Sequence, residues 1–351
     1  MKHKPIKNRC CQNEKCPNHG KFDEGNIIRH SMYKTKQGQR RRFLCKTCKK
    51  TFSSTKGTAY YRLHKSHAEF DEVAQMTVEG TGLSSISRIK QIARNTIINW
   101  QSLASRYAGR FNDRKLKSID MKELQLDEIQ SFIGKKKKQI WLFSAIEVWS
   151  RLWVSHLVGR RNYRNVKLIF NDLIKRCLFK KVFLLTADGF EPYAWVAKRL
   201  FGPICVFAQV IKKRRKNRVI RVTRKLKIGN PLKLEELLFE SEDSFTVNSS
   251  FIERLNLTIR QGCAYLGRRT ACHARDEVLF DDNIELQRCY YNFIRPHSAL
   301  KFGQEIRTPG VQAGLVKKKL SFRDIFMDFR FILVIIFHWL KSRYQRRVSV
   351  A

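Results

Sequence analysis

The chain has 351 residues, 43% of them hydrophobic, which is enough apolar material for two or three domains and excludes global disorder. Lys and Arg number 71 against 30 Asp and Glu, a formal net charge of +41, and a surplus of that size is the footprint of a polyanion partner, DNA or RNA first. No apolar run follows the polar, basic start, so no signal peptide is expected; the apolar run 331–340 (FILVIIFHWL) is shorter than the roughly 20 residues of a membrane span and reads as a terminal helix or strand on the protein.

Five of the ten cysteines lie within the first 48 residues. Cys11-x4-Cys16 and Cys45-x2-Cys48 form two close pairs, the second in the knuckle FLCKTCKKTF. Four thiolates in two such pairs suit tetrahedral zinc, and a module over residues 1–65 with so little core would need the metal to fold. Cys10 competes with Cys11 as first ligand, and His19 is an outside alternative. Arg40, Arg41, Arg42, Lys46, Lys49 and Lys50 surround the knuckle and fit phosphate contacts. The scattered Cys177, Cys205, Cys263, Cys272 and Cys289 read as small core residues in a reducing compartment.

Residues 66–108 read as helices. Phe70, Val73 and Ala74 have helical spacing, Ser84 or Ser85 can cap a second helix carrying Ile86 and Ile89, and a break at Gln91–Ile92 precedes a third over 94–103. Two short helices about a tight turn match a helix-turn-helix, with Arg94, Asn95, Thr96 and Asn99 toward a DNA groove and Ile97 and Trp100 inward. The same apolar spacing suits an ordinary three-helix bundle. The polar stretch 109–120 reads as a linker.

From Leu124 the pattern turns to strands. LQLDEIQSFI, QIWLFSAIEVWS and RLWVSHLVGR are three β-like runs, the first two joined by a turn at Gly134 and residues 135–138. A helix over 165–178, the buried strand KVFLLTADGF, the short helix PYAWVAKRLFG and the strand CVFAQVI come next. That order predicts an α/β fold with a mixed sheet. A basic, hairpin-like insertion over 212–247, turning around Gly229–Asn230–Pro231, interrupts it before helical sequence from Ser250. Its charge run, like residues 135–138, offers phosphate contacts.

Three acids stand in apolar settings. Asp127 lies midway along the first strand, Asp188 follows VFLLTA, and Glu253 opens a helix with Arg260 two turns further on the same face. Neighbouring strands would bring the two aspartates to one spot. Three carboxylates in near contact repel unless hard cations sit between them, and two Mg²⁺ about 4 Å apart suit in-line phosphoryl displacement. Glu128, Glu147, Glu242 and Asp243 are rivals by type, although Glu128 points to the opposite strand face from Asp127.

Residues 9–327 resemble transposases of the insertion-sequence-1 type, within the DDE superfamily. The matching pieces are CQNEKCPNHG and CKTCKKTFS, GTAYYRLH, ARNTIINW, LDEIQSF with WLFSAIEVWSR, TADGFEPY, and N-x4-ERLNLTIRQGCAYLGRRT with YYNFIRPHSAL. The resemblance implies a ribonuclease-H-like catalytic domain over 121–310, after the zinc module and a helix-turn-helix over 66–108, with a tail over 311–351. It implies that Asp127, Asp188 and Glu253 are the catalytic triad, holding Mg or Mn for DNA strand cleavage and strand transfer. It also assigns Asn248, Arg254, Asn256, Arg260 and Arg269 to the motif around the third acid, with Arg260 and Arg269 toward DNA. His297 falls in a family motif too, though bracing the last helix is its more ordinary role. The partners implied are the terminal inverted repeats of an element, target DNA, and further copies of the chain in a dimer or larger assembly, on DNA in the cytoplasm and not on a membrane. A regulator that binds DNA without cutting it, or a decayed transposase, are the alternatives. The chain departs from the family by continuing past SFRDIFM into 24 further residues, DFRFILVIIFHWLKSRYQRRVSVA.

Overall fold

The computed structural model describes residues 6–328 except 36–37, 217, 243 and 269, and only the backbone of Arg214. The apolar run 331–340 and Arg269 therefore lie outside the described residues, as does Asp243.

The N-terminal module is a three-stranded antiparallel sheet, β1 (Ile27–Thr35), β2 (Gly38–Cys45) and β3 (Thr51–Ser53). Among the described residues, its buried interior consists of Cys11, Cys16 and Cys45 with Ile27, Phe43 and Phe52, and Ile6 and Cys48 pack against it. The chain after β3 packs onto the helical region: Tyr60 is fully buried, donates to Asp71, and meets Phe70 and Phe326 edge-on.

Helix α1 (His67–Val78) starts in a capping box between Ser66 and Glu69 and buries Phe70, Val73, Ala74, Thr77 and Val78, the one-face spacing of an amphipathic helix. Helix α2 (Leu83–Lys90) ends at Gln91, whose left-handed φ of 51° makes the tight break before α3 (Arg94–Lys115). The stretch 109–120, expected as a linker, is instead largely the second half of α3. Ala104, Ala108 and Phe111 continue its buried stripe onto a later helix, and the polar residues between them are simply its outer face. The bundle shares one core with the sheet beyond, from Phe70 and Trp100 through Leu124 and Phe143 to Phe293.

A two-residue strand β4 (Ile119–Asp120) leads into the main sheet. β5 (Glu123–Phe132), β6 (Gln139–Glu147) and β7 (Leu152–Gly159) form an antiparallel meander. Helix α4 (Tyr163–Arg176) and β8 (Cys177–Leu178), which pairs with β4, return the chain to β9 (Phe183–Ala187). Helix α5 (Pro192–Phe201) then leads to β10 (Cys205–Arg215), paired antiparallel with β11 (Arg218–Ile228). The six strands run β11-β10-β9-β5-β6-β7, with β9 parallel to both β5 and β10.

The hairpin turn thus falls between Arg215 and Arg218, not at Gly229–Asn230–Pro231. Those three residues end β11 and start α6 (Pro231–Phe239), where the Asn230 side chain caps the helix and Pro231 takes its first position. Helices α7 (Ser250–Gly262) and α8 (Glu277–Phe293) cover the other face of the meander, packing Ile252, Leu255 and Ile259 on Ile129, Leu142 and Ile146. Two backbone approaches tie α7 to α1. A side chain at Gly262 would come within 2.6 Å of the Val78 carbonyl, and one at Gly80 within 2.4 Å of the Gln261 carbonyl.

Candidate functional site

Two sets of metal-type side chains converge among the described residues. In the first, one sulfur from each of Cys11, Cys16, Cys45 and Cys48 lies within 4.8 Å of the others. Cys11 Sγ is 3.6 Å from Cys48 Sγ, and Cys16 Sγ is 3.9 Å from Cys45 Sγ. Tetrahedral zinc with bonds of about 2.3 Å would hold its sulfurs about 3.8 Å apart, so the donor set fits that ion. Asn26 donates to Cys45 Sγ at 3.4 Å, an interaction that steadies a thiolate. Burial resists ionisation at Cys48, but hydrogen bonds from Lys50 N–H, Asn13 and the neighbouring thiols outweigh it and bring the group down to about 6. Cys10 points away into its own buried interaction with Gln12, and burial pushes its thiol up to about 12. Neither Cys10 nor His19 joins the group.

The second set lies where β5 and β9 run side by side. Their parallel register pairs Leu124 with Leu185 and Gln125 with Thr186, so continuing it sets Asp127 level with Asp188, just past the end of β9. One oxygen from each of Asp127, Glu128 and Asp188 lies within 4.8 Å of the others. All three line a cleft of about 780 Å³ that also receives Glu253, Asn256 and Arg260 from α7, Lys212 from β10, and Arg161 and Arg268. Helix α7 is aimed there because the Gln125 side chain accepts from both Phe251 N–H and Ile252 N–H at 3.1 Å, tying the first turn of α7 to β5 two residues before Asp127.

Each acid has its own environment. Asp127 accepts from Asn256 Nδ2 at 2.7 Å. Burial, with repulsion from Asp188 and Glu253, pushes its carboxyl up to about 6 against the pull of the Glu128 N–H and Lys212. Asp188 accepts from Arg161 Nη2 at 2.9 Å and from Phe190 N–H at 2.9 Å. Glu253 is more open, accepting from Lys212 and from Ser249 Oγ. Asp127, Glu128, Asp188 and Glu253, two of them held above their ordinary range, match the donor chemistry of Mg²⁺ or Mn²⁺; a fifth carboxylate of the cleft, Glu191, pairs with Lys227.

Glu128 does lie on the strand face opposite Asp127, toward α5, where the Tyr193 hydroxyl donates to it at 3.0 Å and Arg161 Nε donates as well. It nevertheless reaches the same acidic group, because both faces of β5 open where β9 ends. Burial first, then Asp188, pushes it up to about 7 against Arg161. Arg161, with its guanidinium carbon 4.0 Å from the centre of Phe190 and 5.1 Å from that of Trp141, bridges Glu128 to Asp188. Glu128→Ala should lower stability by about 1–3 kcal/mol, since it leaves the buried Tyr193 hydroxyl without its acceptor. Thermal melting checks this, and an unchanged midpoint would remove the bracing role.

The other rivals stay out of the cleft. Glu147 is buried and accepts from Trp149 N–H and Ser150 N–H at 3.0 and 2.8 Å, shaping the β6–β7 turn, and Glu242 is exposed. Of the motif around Glu253, Asn256 and Arg260 face the cleft, whereas Arg254 lines a separate pocket with His297, and Asn248 accepts from Ser250 N–H at the start of α7. Burial, then Arg268, lowers the Arg260 guanidinium. Arg161, Tyr193 and Arg268 carry no spacing signal that sequence reading could use. Arg94, Asn95 and Asn99 are exposed at the start of α3 and Thr96 is half-buried, while Ile97 and Trp100 are buried. No helix among the described residues is long and apolar enough to cross a membrane.

No protein-family model matches the chain, and no curated protein matches it. Among solved structures, the chain is similar to a piggyBac transposase in a synaptic complex with hairpin DNA. The identity is 10% and the TM-score 0.33, over 84% of this chain and 80% of that one. At that distance the likeness gives no residue a role.

Proposed function

We propose that the protein is a DDE transposase with a ribonuclease-H-like catalytic domain, which binds the ends of a mobile element and carries out metal-dependent DNA strand cleavage and strand transfer. One observation carries the reading: Asp127 on β5 and Asp188, just past the end of the adjacent parallel strand β9, line one cleft, with Glu253 entering it from α7. Strand order supports it, an antiparallel meander followed by two parallel strands joined through helices.

Asp127, Asp188 and Glu253 would hold Mg²⁺ or Mn²⁺, with Glu128 beside them. Bound there, the divalent cations supply activation of the attacking oxygen and charge neutralisation at the phosphodiester. Asn256 fixes the Asp127 carboxylate, while Arg161 and the Phe190 N–H fix that of Asp188. Arg260 and Arg268 line the cleft and would bring positive charge to a phosphate backbone there. The cysteine site would hold zinc and fold the N-terminal module, and Arg94, Asn95, Thr96 and Asn99 would meet a DNA groove at the start of α3. Cleavage at two element ends calls for a dimer or larger assembly.

The test uses labelled duplexes carrying the DNA that flanks the gene. Nicking at the element boundary in Mg²⁺, absent with chelator, is the expected result. Specific binding without nicking in Mg²⁺ or Mn²⁺ would replace this reading with that of a regulator or an inactive copy.

A further inference from the structure

The β10–β11 hairpin has a construction that the acidic cleft does not require. β10 pairs with β9 only as far as Gln209, opposite Ala187; from Val210 onward its ladder partner is β11, and β11 is the edge of the sheet. The distal hairpin is therefore an arm standing out from the sheet beside Asp188. Ten of the sixteen residues 212–227 are Lys or Arg and none is acidic. Lys213, Arg215, Lys216, Arg218 and Arg221 are all exposed along it.

Two further details separate this arm from an ordinary solvated hairpin. Its root residue, Lys212, lines the cleft and pairs with Glu253, so the arm starts at the acids. It also carries three exposed β-branched apolar side chains, Val219, Ile220 and Val222, at 45%, 55% and 40% exposure. The ladder shifts register between Lys213, opposite Arg221, and Arg214, opposite Val219, leaving Ile220 with no residue across from it. Such side chains favour the strand and offer an apolar crest to sugars and base edges between rows of cations.

The geometry points to the β10–β11 hairpin as a sequence-independent grip on duplex DNA, held at a fixed distance from the cleft. From Lys212 to the turn at Lys216 the strand advances four residues, roughly 13 Å. Duplex DNA rises about 3.4 Å per base pair along each strand, so the tip meets phosphates about four base pairs from the reacting one. The charge places phosphate on the arm whatever the chemistry in the cleft; only the location relative to a cut rests on the strand-cleavage reading.

The experiment compares the full-length, zinc-loaded protein with its K213Q/R215Q/R218Q/R221Q variant on a duplex several turns long. Each phosphate that the protein no longer neutralises lowers the slope of log affinity against log salt by about 0.9, so loss of all four cations should reduce it by about 3.6. Where cleavage occurs, hydroxyl-radical protection should vanish about four base pairs from the cut. An unchanged slope overturns the grip, as does a reduction confined to duplex RNA, and a protection change elsewhere on the duplex overturns its placement. A reduced slope in a protein that never cuts DNA leaves the arm standing and removes the strand-cleavage reading instead.

Discussion

Asp127→Asn should abolish strand cleavage and at the same time stabilise the fold. The loss comes from taking one carboxylate from the set that would hold the divalent cations, and is expected to be at least on the order of 10³-fold. The gain comes from the cost of keeping that carboxylate ionised where it lies. Its folded-state value is raised from 3.8 to about 6, so the ionised form is disfavoured by folding. That cost is absent well below pH 4, grows as the pH rises through 4 to 6, and is fully present at pH 7. A rise of that size corresponds to at most about 3 kcal/mol, and partial access to water brings the expected stabilisation to about 1–2 kcal/mol. The asparagine can still accept from Asn256. Metal-free variant and parent should therefore differ by a few degrees in melting midpoint at pH 7.5 and converge at pH 4. DNA binding should persist. A variant that loses activity only because it unfolds, melting below the parent at pH 7.5, would contradict this role for the acid.

The second large effect concerns the cysteine site. Cys45→Ser with Cys48→Ser should release one equivalent of zinc and unfold β1–β3 while leaving the rest of the chain folded. Among the described residues, the module's interior has Ile27, Phe43 and Phe52, with Ile6 beside them, besides the cysteines, too little apolar surface to offset the entropy of ordering some fifty residues. Zinc binding supplies on the order of 10 kcal/mol in such modules. Among the described residues, the remaining core, from Ala59 and Tyr60 to Phe326, shares no side chain with this interior. Metal content and limited proteolysis check the outcome together with specific end binding, which should weaken. Cys10→Ser is the matched control and should keep its zinc. Full zinc retention in the double variant would remove the site.

The two aspartates were legible in the sequence because an acid inside an apolar run is conspicuous, and because strand, helix, strand order favours parallel neighbours. Asp127 lies on β5, and Asp188 lies just past the end of its parallel neighbour β9. The inclusion of Glu128 was not legible. Alternation separates it from Asp127 along the strand, and only the early end of β9 lets both faces open on one cleft. Cys11 could not be told from Cys10, since spacings of x5 and x4 to Cys16 both suit a metal pair and only side-chain direction separates them. The second half of α3 was hidden because Arg110, Asp113 and Arg114 dilute the stripe formed by Ala104, Ala108 and Phe111. The hairpin turn was misplaced because Gly229–Asn230–Pro231 is a strong break signal, while the true turn lies in a run of cations with no apolar alternation to mark the strands.

Strand transfer tests the role of the acidic cleft most directly. A duplex ending in the element boundary with a free 3′-hydroxyl is incubated with supercoiled target DNA, Mg²⁺ and either the parent protein or the Asp127→Asn and Asp188→Asn variants. Covalent joining by the parent alone, abolished by chelator, is the expected result. Joining that survives in both variants, or that proceeds without a divalent cation, would contradict a catalytic role for these aspartates.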